Sequence, residues 1–341
     1  MKKLILPILL SAVLFTSCGN SNLLLPNATG SAYEVLVVVD EKDWRSEGGK
    51  ALFDVLAADV PGIPQAEAMF SISRVPQSEF DNLLRPTRNI VIVKIDSTQY
   101  TKASIKLVKS RWAKSQAIVL ITADKTENLA SLLHVKAEII TNFFVTAERE
   151  RQIDYFKANI NNTALNKVYQ KLGVQIAVPT NMNKYKEGTD FFWISNGSST
   201  VRQDIIIYSY PYIDKSQFTQ TALLTKRDSV LKANIPGSVV GSYMGTAYTY
   251  EPPVLSEIWT NESYCAEIRG LWEMKEGEIM GGPFISHTRL DELNNRLITV
   301  EGFVFAPGRE KRNLLRQVEA MIYSLKMPQE VNEVIVTAKK K

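Results

Sequence analysis

The sequence predicts two domains: an α/β domain on a parallel sheet, then an α+β domain on an antiparallel one. Three observations carry this. Between residues 33 and 124, short β-branched runs alternate four times with helix-compatible stretches, the rhythm of a parallel sheet with helices packed on it. Between 174 and 306, strand patterns follow one another across turn residues, with one helical interruption, as antiparallel sheets do. About 310 residues remain once the amino-terminal segments are set aside, more than one core commonly holds.

In the first domain, residues 33–165, YEVLVVVD (33–40) is apolar on both faces, as buried parallel strands are. A helical stretch at 44–60 follows, then a strand in MFSISRV and a short helix near 77–84. Next come a strand in NIVIVKID, a helix over 101–114 and a strand in AIVLITAD. From Thr126 to about Asn161, Leu129, Leu132, Leu133, Ile139, Ile140 and Phe143 sustain a long helical pattern that carries the chain onward.

The second domain, residues 166–328, opens with strands in VQIAVP and FFWISNGSSTVRQDIIIYSYPY, the latter turning at 196–199. A helix spans 216–234 and ends at Pro236-Gly237. Strands follow in SYMGTAYTY, VLSEIWT, YCAEIRGLWEM, GGPFISHTRL and RLITVEGFVFA. The closing helix, 309–326, sets Leu314, Leu315, Val318, Met321, Ile322 and Leu325 on one stripe. This order loosely resembles the PsbP/Mog1-like folds.

Residues 1–17 are of another kind. Met1-Lys2-Lys3 precedes the nearly unbroken apolar run Leu4–Phe15, a secretory signal too short for the roughly 20 residues of a spanning helix. Cys18 follows Thr16-Ser17, so the stretch resembles the lipobox of bacterial lipoproteins, with Phe15 where that motif usually has leucine. The resemblance implies an acylated Cys18 and cleavage just before it. Residues 18–32 are then a tether, and the absence of an acidic cluster after Cys18 points the body toward the periplasm. The expected address is the outer membrane, lipid-anchored and facing the periplasm.

Removing residues 1–17 takes Lys2 and Lys3, leaving 38 basic residues against 36 acidic. Lys339-Lys340-Lys341 supply three of those positives at the end of a tail, 329–341, so the folded body offers no nucleic-acid surface. Cys265 is then the one remaining free thiol, and no intramolecular disulfide is possible.

The sharpest chemical candidate is Asp40, Asp96 and Asp124, which follow three of the expected parallel strands. Ligands gather outside the carboxyl ends of such strands, so the three carboxylates could hold a divalent metal, with Glu41, Asp43 and Lys94 nearby. Helix capping is the competing role, since Asp124 and Glu127 have capping-box spacing. EGGKAL (47–52) and GSVVGSYMG (237–245) lack the spacing that aims successive amides at one phosphate. His134 and His287 are the only imidazoles. His287 stands beside Ser286 and near Asp291, but strand neighbours face opposite ways, and a structural role fits it better. No histidine or cysteine pair has zinc-ligand spacing, and no cofactor is called for.

Aromatic residues crowd the second domain. Tyr208, Tyr210 and Tyr212 alternate and share a strand face, and Trp193 lies in the strand before. Exposed, these four could stack on sugar rings or receive a protein; buried, they fill a core.

GIPQAEAMF (62–70), KRDSVLKANIPGSVVGSYM (226–244), MGGPFISHTRLDELNNRLITVEGFVFAPGREKR (280–312) and LLRQVEAMIYSL (314–325) resemble the Bacteroidetes lipoprotein family catalogued as domain of unknown function 4837. The resemblance spans nearly the whole mature chain and implies an envelope lipoprotein, with no activity, cofactor or catalytic residue to carry over. The expected function is non-enzymatic binding of an envelope protein or glycan by a protein held to the membrane through its amino-terminal lipid. A metal-dependent hydrolase using the aspartate rim is the alternative, and a purely structural envelope component a third possibility.

Overall fold

The computed structural model describes residues 25–331. Cys18, the signal segment and the end of the lysine tail lie outside the described residues.

The first sheet has the order β2-β1-β3-β5-β4. Its strands are β1 (Glu34–Val38), β2 (Ser71–Val75), β3 (Asn89–Ile95), β4 (Ser104–Lys109) and β5 (Ala117–Ala123). β1 pairs in parallel with β2 and β3, and β3 with β5, whereas β4 runs antiparallel to β5. Residues 101–114 are therefore an edge strand and not the expected helix. Ile105 and Val108 are β-branched, and Lys106 and Lys109 stand exposed where an edge must discourage further pairing. The short helix expected near 77–84 is reduced to one 3₁₀ turn, Gln77–Glu79.

Helices α1 (Glu41–Trp44), α2 (Glu47–Ala57) and α3 (Thr126–Ala158) follow β1 and β5. α2 and α3 cover one face of the sheet, burying Val35, Val37, Leu52, Leu56, Val91 and Val119 with Leu129, Leu133, Ile140 and Phe144. Among the described residues no helix covers the other face. There Leu36, Val38, Ile90 and Ile118 are shielded by Phe80, Leu84 and Trp112 from irregular segments.

In length and composition α3 could cross a membrane. Its apolar residues instead serve both cores: Leu129 through Phe144 pack on the first sheet, and Phe156 joins the second core.

After α3 comes α4 (Asn162–Leu172), so residue 165 falls within a helix. Asn161 caps it, accepting from the Ala164 amide, and Gly173, at φ 72°, ends it in the left-handed region. VQIAVP (174–179) is buried but makes only isolated bridges, through Gln175 and Pro179, and no strand.

The second sheet has eight strands, all antiparallel, in the order β10-β11-β12-β13-β8-β7-β6 with β9 beside β11. They are β6 (Lys184–Glu187), β7 (Phe191–Ser195), β8 (Arg202–Pro211), β9 (Tyr243–Ala247), β10 (Val254–Thr260), β11 (Ser263–Lys275), β12 (Gly281–Asp291) and β13 (Arg296–Phe305). The fold class is thus α/β followed by α+β, as the patterning predicts.

Helices lie on both faces of this sheet. α4 and α6 (Arg312–Tyr323) pack on one, over Phe192, Ile205, Ile207, Ile298 and Val300. α6 comes close at Gly302, where an added Cβ would stand 1.9 Å from a Val318 methyl carbon. α5 (Gln220–Asn234) covers the other face, over Ile206, Tyr208, Phe284 and Phe303. Arg227 fixes it there, donating from Nε and Nη2 to the buried Glu301 carboxylate at 2.7 Å each, with its guanidinium 3.6 Å above the Phe284 ring.

Candidate functional site

Three parallel neighbours, β1, β3 and β5, deliver Asp40, Asp96 and Asp124 to the same rim, as the sequence predicts. The carboxylates do not converge. Asp40 accepts from the Gln77 amide at 3.0 Å, Asp96 from the Thr98 amide and hydroxyl at 2.8 and 2.6 Å, and Asp124 from the Asn128 side chain at 2.9 Å. These bonds, from Thr98 and Asn128 foremost, hold Asp96 and Asp124 below the usual carboxylate range. Among the described residues no three Asp, Glu, His or Cys side chains could share a metal ion. The metal rim is therefore corrected to three local turn fasteners. The capping-box expectation also fails at Asp124, because α3 begins one residue later, with Lys125 in the cap position.

The glycines of EGGKAL are packing glycines. A Cβ at Gly48 would stand 2.8 Å from the Leu129 side chain, and one at Gly49 would stand 2.1 Å from the Trp44 carbonyl oxygen. Their amides already donate to Thr126 and Ser46, so no phosphate cradle is present.

His134 is exposed on α3. His287 is buried, with Nε2 2.9 Å from Glu267 Oε2 and its ring edge-to-face with Tyr323. Asp291 is turned away to Arg296 at 2.8 Å, so Ser286, His287 and Asp291 form no relay. Burial pushes the His287 pKa down and keeps the ring neutral. A carboxylate only accepts, so the ring's Nε2 carries the proton it gives to Glu267. Burial would raise Glu267, but the His287 hydrogen bond and the Arg269 charge overcome it and bring the carboxyl to about 2.

This pair belongs to a buried ion cluster that links α3, α6 and β11. Glu319 of α6 lies 2.8 Å from Arg316, 3.3 Å from Arg269 and 3.7 Å from Arg149 of α3. The Arg149 guanidinium also stacks 3.6 Å over Tyr323. Burial opposes ionisation of Glu319, yet the three arginines hold it well below its ordinary range. The cluster is a structural seam. Cys265 is likewise inert, with burial pushing its thiol up to about 12.

The structure separates the aromatic candidates. Tyr208 is 3% exposed beneath α5, so it is core and cannot meet a ligand. Tyr210 stacks on it, with the Lys226 ammonium 4.8 Å above its ring. Trp193 donates to the buried Asp204 at 2.8 Å and lies under the Arg202 guanidinium, beside a shallow hollow bordered by Lys184 and Ser198. Tyr212 stands just past Pro211, where β8 ends, and lines an open cleft.

That cleft, about 790 Å³, is the best-formed candidate site. Asp214 and Gln217 form a capping box around the 3₁₀ turn Lys215–Phe218, which delivers Phe218 to the cleft wall just before Thr219 caps α5. The β10–β11 hairpin turns at Asn261 and Glu262, both with positive φ, and so pairs Trp259 with Tyr264 across the strands. Four rings then run in series. Tyr212 lies 6.3 Å from Phe218, Phe218 5.2 Å from Tyr264 and Tyr264 6.4 Å from Trp259, which is 72% exposed. Gln220, Glu257, Glu292 and Gln329 supply polar groups, and the Tyr264 hydroxyl donates to Glu257 at 3.4 Å. Sequence reading missed Phe218, which stands at a helix start and outside any strand alternation.

No curated protein matches the chain. One family model, Domain of unknown function (DUF4837), matches residues 161–324. The amino-terminal half, including GIPQAEAMF, matches a different model over residues 28–157, so the expected single-family likeness across the mature chain is corrected. Both matched models describe domains of unknown function, DUF8532 ahead of DUF4837, and the two matches meet where α3 gives way to α4.

Proposed function

We propose that the protein is held to the cell envelope through acylated Cys18 and binds an envelope glycan in the ring-lined cleft of its second domain. The observation that supports this reading is the series Tyr212, Phe218, Tyr264 and Trp259 beside carboxylates and amides. Flat rings offer apolar faces to the C–H faces of sugars, while Gln220, Glu257, Glu292 and Gln329 can exchange hydrogen bonds with hydroxyls. The volume falls within the range of ligand clefts, about 300–1,000 Å³.

Glycan-array screening of the purified full chain, followed by calorimetry on the strongest hit, tests the cleft. Phe218→Ala and Tyr264→Ala should each weaken binding by roughly tenfold, the usual scale for truncating a central aromatic anchor. Trp193→Ala, beside a separate hollow, should leave it unchanged. An empty array, or a hit indifferent to both ring variants, removes the reading. The anchor has its own test: intact mass of native material should show an acylated Cys18.

A further inference from the structure

The uncovered face of the first sheet carries a second, smaller cavity of about 400 Å³. Phe80 and Trp112 wall it edge-to-face at 5.6 Å, and Arg85, Lys94 and Arg111 bring three cations to it. The Arg111 and Arg85 guanidinium groups lie 4.6 and 5.9 Å from the Trp112 ring. Buried Gln116 fastens the two segments: its amide donates to the Arg85 and Thr87 carbonyls while its oxygen accepts from the Trp112 amide. No carboxylate lines the cavity, and among the described residues none stands within ion-pair distance of Arg85, Lys94, Arg111 or Lys114. Asp81, in the same segment, turns its carboxylate to the Leu83 and Leu84 amides. Leu83 itself is 82% exposed beside these cations.

The start of the described chain is pinned to this region. The Lys114 amide donates to the Pro26 carbonyl at 2.8 Å, and Thr29 exchanges backbone bonds with Pro86 and Arg88. Leu25 stands seven positions after Cys18, and a fully extended chain of that length reaches about 25 Å at most. Acyl chains on Cys18 would therefore keep this part of the body close to the headgroup layer.

We propose that the Phe80–Arg85–Arg111–Trp112 cavity binds the phosphate headgroup of an anionic lipid and seats the first domain against the bilayer. Arginine forks match phosphate oxygens, tryptophan favours the interface, and exposed Leu83 can enter the acyl boundary. The orientation rests on the Cys18 anchor; the headgroup chemistry does not.

Vesicle flotation of the full chain carrying Cys18→Ala, which has no acyl contribution, tests the site directly. It should float with phosphatidylcholine vesicles containing phosphatidylglycerol and not with phosphatidylcholine alone. Each of Arg85→Gln and Arg111→Gln should lower partitioning about fivefold, the effect of one cation near an anionic surface. Lys102→Gln, outside the cavity, should change partitioning less than either, and unchanged melting temperatures would show that the variants fold. Competition by millimolar glycerol phosphate, with inorganic phosphate inert, would mark a lipid headgroup; full competition by inorganic phosphate alone would mark a free-anion site and overturn the proposal. So would equal flotation with both vesicle types, or variants that partition like the parent. An unmodified Cys18 in native material would defeat the anchor while leaving this assay to be read by itself.

Discussion

Glu319 shows how far one side chain can set the behaviour of an interface. Replacing it with Gln leaves Arg149, Arg269 and Arg316 without their common carboxylate, and should cost about 3–5 kcal/mol in chemical denaturation. The same seam predicts acid sensitivity in two stages. Because burial depresses His287, the unfolded chain takes up a proton below the ordinary 6.5 while the folded chain does not, so stability falls as pH drops past that value. Glu267 and Glu319 are depressed as well; their contribution is complete above 4.5 and is lost as pH falls, for Glu267 toward about 2. Denaturation midpoints across pH should show both stages in the parent, and His287→Gln should abolish only the first. The sequence disclosed a structural histidine here, but not its partners. Glu267 stands 20 residues away, and Tyr323 closes on the ring from another element.

At the scale of elements, α6 depends on a residue far behind it. It has no side-chain cap of its own, and Glu67 supplies one, accepting from the Lys311 and Arg312 amides at 2.7 Å each. Arg312 returns a bond to the Ala68 carbonyl. Glu67→Ala should therefore cost about 1–2 kcal/mol, while Glu67→Gln, which keeps an acceptor but loses the charge facing the helix dipole, should cost less. Thermal melts of the two variants check the order. Gly302→Ala tests the opposite face of α6, where overpacking against Val318 should cost about 1–3 kcal/mol. Elements with strong local signals were legible: β1, β3 and β5 as apolar runs, β8 and β11–β13 as strands set off by turn residues, α5 and α6 as helices. β4 was not, because six residues with two lysines among short apolar ones suit helix and strand alike. Alternation aligned Tyr208, Tyr210 and Tyr212, but only the packing of α5 decides which is dry.

For the whole molecule, the two matched segments are physically one body. α3 serves both cores, the Glu319 cluster joins α3 and α6 to β11, and Glu67 bonds across 244 residues to Lys311. The parent should unfold in one transition, with amide exchange in β3 and β5 and in β12 and β13 reporting the same free energy. Glu67→Ala combined with Glu319→Gln should split that transition in two. This coupling was not readable from length and rhythm, since it rests on contacts such as Arg149 with Glu319 and Glu67 with the Lys311 amide, between residues far apart in sequence.

The Glu67 bonds also bear on force. A pull on something seated between Phe218 and Tyr264, with the chain held at its amino terminus, travels along the 159–161 backbone and in parallel through the carboxylate at the start of α6. Two load paths sharing one tension yield later than either would alone, so under such a pull the junction would act as a mechanical coupler as well as a fold contact.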